Sequence, residues 1–122
     1  MPPEELLRAF GAALATGDTA AAAALFAPDA VYDEPPRFHF EGRPAISAFI
    51  ADFAARHTAV SFTVTRSLAS ADGALLAAEW RWAYRRLDGA QRAFAGMCFV
   101  EVRGGLIARW RGFSARIPET AR

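Results

Sequence analysis

At His57 the hydrophobic period of this chain changes. Before it, Leu6, Leu7, Phe10 and Leu14 recur at helical spacing, and so do Ile46, Phe49, Ile50 and Phe53. After it, Val60, Phe62 and Val64 alternate with Ser61, Thr63 and Thr65. A period of about 3.6 marks an amphipathic helix and a period of about 2 a half-buried strand. The chain therefore builds helices first and a sheet afterwards. That order argues an α+β domain in which helices cover one face of a curved antiparallel meander.

Punctuation along the chain supports the division. Pro3, Glu4 and Glu5 open a first helix, where proline is tolerated and carboxylates favour the helix dipole. Gly17 stops it, and Asp18 or Thr19 caps a short Ala-rich helix expected to run to Phe26. Pro28 and Asp29 end that helix, and Val31–Glu34 reads as a short strand closed by Pro35 and Pro36. Arg43-Pro44 starts the third helix. Asp72-Gly73, Asp88-Gly89 and Gly104-Gly105 then mark turns between long strands, Leu75–Arg86, Arg92–Val102 and Leu106–Ser114.

A chain of 122 residues is one domain, and at 53% apolar it buries a substantial core without a metal or disulfide staple. A net charge of +1, with basic residues scattered, argues against a nucleic-acid module. The single cysteine, Cys98, excludes an intrachain disulfide and fits a reducing, cytoplasmic compartment. The start of the chain shows no signal peptide, and no run approaches the ~18 apolar residues of a membrane span. His39 and His57 belong to no metal-ligand spacing, so neither a metal nor another cofactor is expected.

The long strands are apolar on both faces. Trp80, Trp82 and Tyr84 share one face of their strand, Gly96, Cys98 and Val100 one face of the next, and Trp110, Gly112 and Ser114 one face of the last. Met97, Phe99 and Phe113 fall on the opposite face, where a partner surface is the simplest cover.

The layout of helix, Gly-Asp, short helix, FAPDAVYDEP, GRPAI and a terminal GGLIARWRGF resembles the nuclear transport factor 2-like superfamily, and within it the SnoaL-like domains and ketosteroid isomerase relatives. The resemblance spans about residues 4–115 of a single domain, 1–122. It implies a cone-shaped barrel with three N-terminal helices packed in a strongly curved antiparallel sheet. It also implies an apolar pocket at the open end and a homodimer through the outer sheet face. In ketosteroid isomerases an Asp base stands directly before a proline; the matching residue here is Glu34, before Pro35. Their oxyanion donors, a Tyr and a protonated Asp, match Phe10 and Cys98, which donate poorly. The Arg and two Asp of limonene epoxide hydrolase-like relatives match Trp80, Trp82 and Gly112, so that set is absent. The SnoaL-type cyclase carboxylate near the end of the last strand has only Ser114 for a counterpart.

Glu34 is thus the candidate catalytic residue; its alternative is a solvent-facing acid at a proline turn. Phe10, Tyr32, Phe49, Phe53, Trp80, Trp82, Cys98 and Trp110 are the expected ligand-binding residues, though an aromatic stripe is equally a plain core. Tyr84 offers a polar tip near the end of its strand. Asp33 points to the other strand face, and Arg109 and Arg111 read as outer-face charges at the dimer seam. Three functions remain open at this point. One is proton transfer, of isomerase or cyclase type, on a carbonyl-bearing hydrophobic molecule. The second is non-catalytic binding of a small apolar ligand, and the third is a dimeric interaction module.

Overall fold

The computed structural model describes residues 1–118. Its elements follow in the order α1 (Pro3–Thr16), α2 (Thr19–Ala23), β1 (Phe26–Glu34), β2 (Phe38–Glu41), α3 (Arg43–Arg56), β3 (His57–Ala69), β4 (Leu75–Arg86), β5 (Gln91–Arg103) and β6 (Leu106–Arg116). The six strands form one sheet in the order β2-β1-β6-β5-β4-β3. β3 to β6 are the antiparallel meander read from the sequence.

Two features depart from the expectation. β1 runs parallel to β6, so the sheet is mixed, and its two edges, β2 and β3, do not meet to close a barrel. α2 ends at Ala23 rather than Phe26, and β1 begins at Phe26 instead of Val31. Pairing across the sheet decides the second point: Phe26 lies opposite Ile107, and the Ile107 N–H donates to the Leu25 carbonyl at 2.8 Å. That contact overrides the helix propensity of the alanines. The register shifts between Phe26 and Val31, and this irregularity accommodates Pro28 inside a paired strand. β2, for which the sequence carried no strand assignment, pairs only with β1.

The helices fill the concave side. Leu6, Leu7, Phe10 and Leu14 of α1 are buried, and the helix lies on β3; Ile46 and Ile50 of α3 are buried towards β1. Against them the sheet presents Phe62, Leu76, Trp80, Val100, Ile107 and Trp110, all buried. Breaks in the β3–β4 register, at Thr58/Ser61 and Val64/Arg66, bend the sheet around this core; Ala59 has φ 52 at the first. Gly96 makes room for Trp80: a Cβ there would stand 2.4 Å from the indole ring and 2.8 Å from the Phe113 carbonyl. The convex face is different. Met97, Phe99 and Phe113 are 55%, 58% and 52% exposed, with the Arg111 guanidinium 5.6 Å over the Phe113 ring.

Candidate active site

The open end of the sheet holds a cavity of about 230 Å³. It falls short of the ~300 Å³ at which small-ligand sites generally begin. Its walls include Tyr32 and Glu34 from β1, Phe49 and Phe53 from α3, and Trp80 and Trp82 from β4. Phe38, Tyr84 and Phe94 stand towards its mouth, with Arg37, Asp52, Arg56, His57 and Ser114 around them. Phe10, Cys98 and Trp110, expected among the ligand-binding residues, do not line it. Phe10 packs edge-on against Phe26, Phe62 and Trp82, and Trp110 stacks on Tyr32 with centroids 5.4 Å apart. Cys98 is buried behind the wall, and burial pushes its thiol up to about 12, so it stays protonated.

Glu34 is the last residue of β1 and shares a face with Tyr32, because strand side chains alternate. Asp33 therefore points outwards, where it meets His39 Nδ1 at 3.5 Å and Arg111 at 3.5 Å. Glu34 turns inwards. Its Oε1 atom is buried and has no hydrogen-bond partner. Burial raises its pKa above the ordinary 4.5, and Arg37 opposes the shift only in part. Gly112 on β6 provides the space: a methyl group at this position would stand 3.1 Å from Glu34 Oε1 and 2.9 Å from Trp110 Nε1.

Three side chains of the cavity wall carry hydrogen-bond donors that an apolar reading of the sequence passes over. The indole N–H groups of Trp80 and Trp82 are buried without acceptors. The Trp80 N–H lies beside the Cys98 thiol, behind the cavity wall. The Tyr32 hydroxyl is held protonated, first by burial and then by the nearby Glu34 and Cys98. An apolar reading of the aromatic stripe hides these polar tips, since an indole or phenol in a sequence is counted for its ring. A carboxylate and neutral donors around one apolar cavity can move a proton and hold an oxygen that gains charge.

Among the described residues no cluster of His, Cys, Asp or Glu has the geometry to hold a metal, and no helix is long and apolar enough to cross a membrane.

The comparisons with known proteins agree with this architecture. The SnoaL-like domain profile matches residues 7–110, and the chain belongs to the SnoaL-like family of the nuclear transport factor 2-like superfamily. No curated protein matches the sequence. Among solved structures, a Bacillus subtilis protein provisionally described as an isomerase is 26% identical, with 91% of this chain and 84% of that one covered and a TM-score of 0.81. A Pseudomonas putida protein provisionally described as a polyketide cyclase is 22% identical, with 99% and 95% covered and a TM-score of 0.82. An epoxide hydrolase of the limonene type from Mycobacterium tuberculosis is 22% identical, with 91% and 80% covered and a TM-score of 0.78. The last two likenesses concern the fold.

Proposed function

We propose that this protein catalyses proton transfer on a small, carbonyl-bearing hydrophobic molecule, with Glu34 as the base. The observation that supports it is the unpartnered Glu34 Oε1 in an apolar cavity. A carboxylate kept for structure alone would be paired, because leaving a buried polar atom unmade costs about 1–3 kcal/mol. Glu34 removes a proton from the carbon next to the ligand carbonyl. The electron pair of that C–H bond moves into the carbonyl, and the oxygen takes up negative charge. Tyr32 O–H and Trp82 N–H stabilise this oxygen, in place of the donors that Phe10 and Cys98 do not supply. The protonated Glu34 returns its proton to carbon, at the same or a conjugated position.

Deuterium wash-in tests the reading without knowledge of the natural substrate. In D2O the wild type accelerates exchange at the α-carbon of 2-tetralone, followed by NMR. Glu34→Gln loses about 10²-fold or more of that acceleration, the usual weight of a general base. A wild type that binds the ketone but exchanges it at the buffer rate favours the second reading, a non-catalytic binder, for which the apolar Phe10 and the protonated Cys98 speak.

A further inference from the structure

We propose that the ligand of this cavity carries an anionic group, carboxylate or phosphate, at its solvent end, held by a collar of arginines around the mouth. The inference rests on the cavity being a ligand site and adds the chemical class of the ligand.

The inner cavity opens into an outer chamber of about 550 Å³, and the two share Arg37, Arg56, His57, Tyr84 and Phe94. Arg86, Arg92 and Arg116 complete the outer wall. Five of the fourteen arginines of a chain with net charge +1 therefore meet at one opening. Among the described residues two of the five have carboxylate partners: Arg56 pairs with Asp52 at 3.1 Å, and Arg86 with Asp88 at 3.6 Å. Arg37, Arg92 and Arg116 have none among the described residues. Arg37 instead lies 5.9 Å over the Phe94 ring, and Arg92 donates to the Gln91 carbonyl at 3.0 Å. The five side chains converge from α3, β4, β5, β6 and the turn between β1 and β2, so the concentration is a product of the tertiary structure and is invisible in the scattered sequence positions.

The collar surrounds the entrance to an apolar space walled by Phe49, Phe53, Trp80 and Trp82. A neutral ligand would use the inner space and draw nothing from Arg37, Arg92 and Arg116. A cationic ligand would be repelled at the mouth. An apolar molecule ending in a carboxylate or phosphate satisfies both parts, since the planar guanidinium fork matches either group.

Calorimetric titration with a matched series tests this: 4-phenylbutyrate, 4-phenylbutan-1-ol, 4-phenylbutylamine and 4-phenylbutyl phosphate share one apolar body. The acid binds about tenfold or more tighter than the alcohol, and the amine more weakly than the alcohol. The phosphate against the carboxylate shows which anion the collar prefers. The double variant Arg92→Gln/Arg116→Gln, both outside the inner cavity, reduces acid binding towards the level of the alcohol and leaves alcohol binding unchanged. Alcohol and acid binding equally to the wild type overturns the collar while leaving the cavity as a ligand site. Failure of all four to bind overturns the collar and the cavity reading together. Loss of exchange activity in Glu34→Gln bears only on the catalytic reading.

Discussion

Replacing Glu34 by Gln should make the protein more stable, and increasingly so as pH rises. Gln keeps the volume of Glu but carries no charge, so the pair isolates the cost of ionising a carboxylate whose Oε1 has no partner. The pKa of Glu34 is raised in the folded protein, chiefly by burial. Below its unfolded value, near the ordinary 4.5, the side chain is protonated in both states and wild type and variant differ little. Above that point the unfolded chain loses its proton first, and the wild type loses stability until pH has passed the raised folded value. Beyond it the difference is constant, at about 1.4 kcal/mol for each unit by which the folded pKa is raised. The unmade hydrogen bond sets the expected plateau at about 1–3 kcal/mol. Urea denaturation of both proteins from about pH 4 to about pH 8, a range that brackets a raised carboxyl pKa, at one fixed protein concentration, measures it. An offset that does not change with pH, or a variant that weakens relative to wild type as pH rises, would refute the reasoning.

Two further outcomes are expected. Gly112→Ala places a methyl group 3.1 Å from Glu34 Oε1 and 2.9 Å from Trp110 Nε1, which costs about 1–3 kcal/mol in overpacking and displaces the carboxylate. Exchange on 2-tetralone then falls about tenfold or more, displacement by ~1 Å being enough for that, and an unchanged rate with an unchanged Glu34 carboxyl titration would contradict it. On the convex face, the exposed Met97, Phe99 and Phe113 are expected to form the seam of a homodimer, since an isologous contact buries one apolar patch twice; the wild type should sediment as a dimer at micromolar concentration and Phe99→Glu as a monomer, and a monomeric wild type removes the claim.

Much of the architecture is legible in the sequence because the periods are clean. The alternation of Trp80, Trp82 and Tyr84 against Arg81 and Arg85 assigns both faces of β4, and the observed burial follows it. The exposure of Met97, Phe99 and Phe113 is likewise a matter of counting residues along β5 and β6. What escapes is whatever depends on a partner distant in the chain. Phe26 looks helical beside five alanines until Ile107 arrives next to it. The parallel β1–β6 pairing, and with it the open sheet, has no local signature. Glu34 is visible as an acid before a proline, but its solitude is not, because that depends on Gly112 and Trp110. Cys98 and Trp110 share strand faces with the lining residues Phe94 and Ser114 yet lie deeper, and Phe10 sits on a helix that gives the cavity no wall. The arginines of the mouth are separated in sequence by up to 79 positions, from Arg37 to Arg116, and only the fold brings them together.

The parallel pairing of β1 with β6 also has a consequence for how the protein is made. A chain leaving the ribosome exposes α1, α2 and the β1–β2 hairpin early, but the strand that flanks β1 on its other side is the last of the six strands to be synthesised. Until β6 emerges, Tyr32 and Glu34 have no strand on that side, and no strand joins the meander β3–β5 to the hairpin. Such long-range pairings form late and leave apolar strand edges unprotected while they wait. The wall of the cavity around Tyr32 and Glu34 is therefore among the last parts of this sheet to take shape. A nascent chain arrested before Leu106 would carry most of the residues of the site without the site itself.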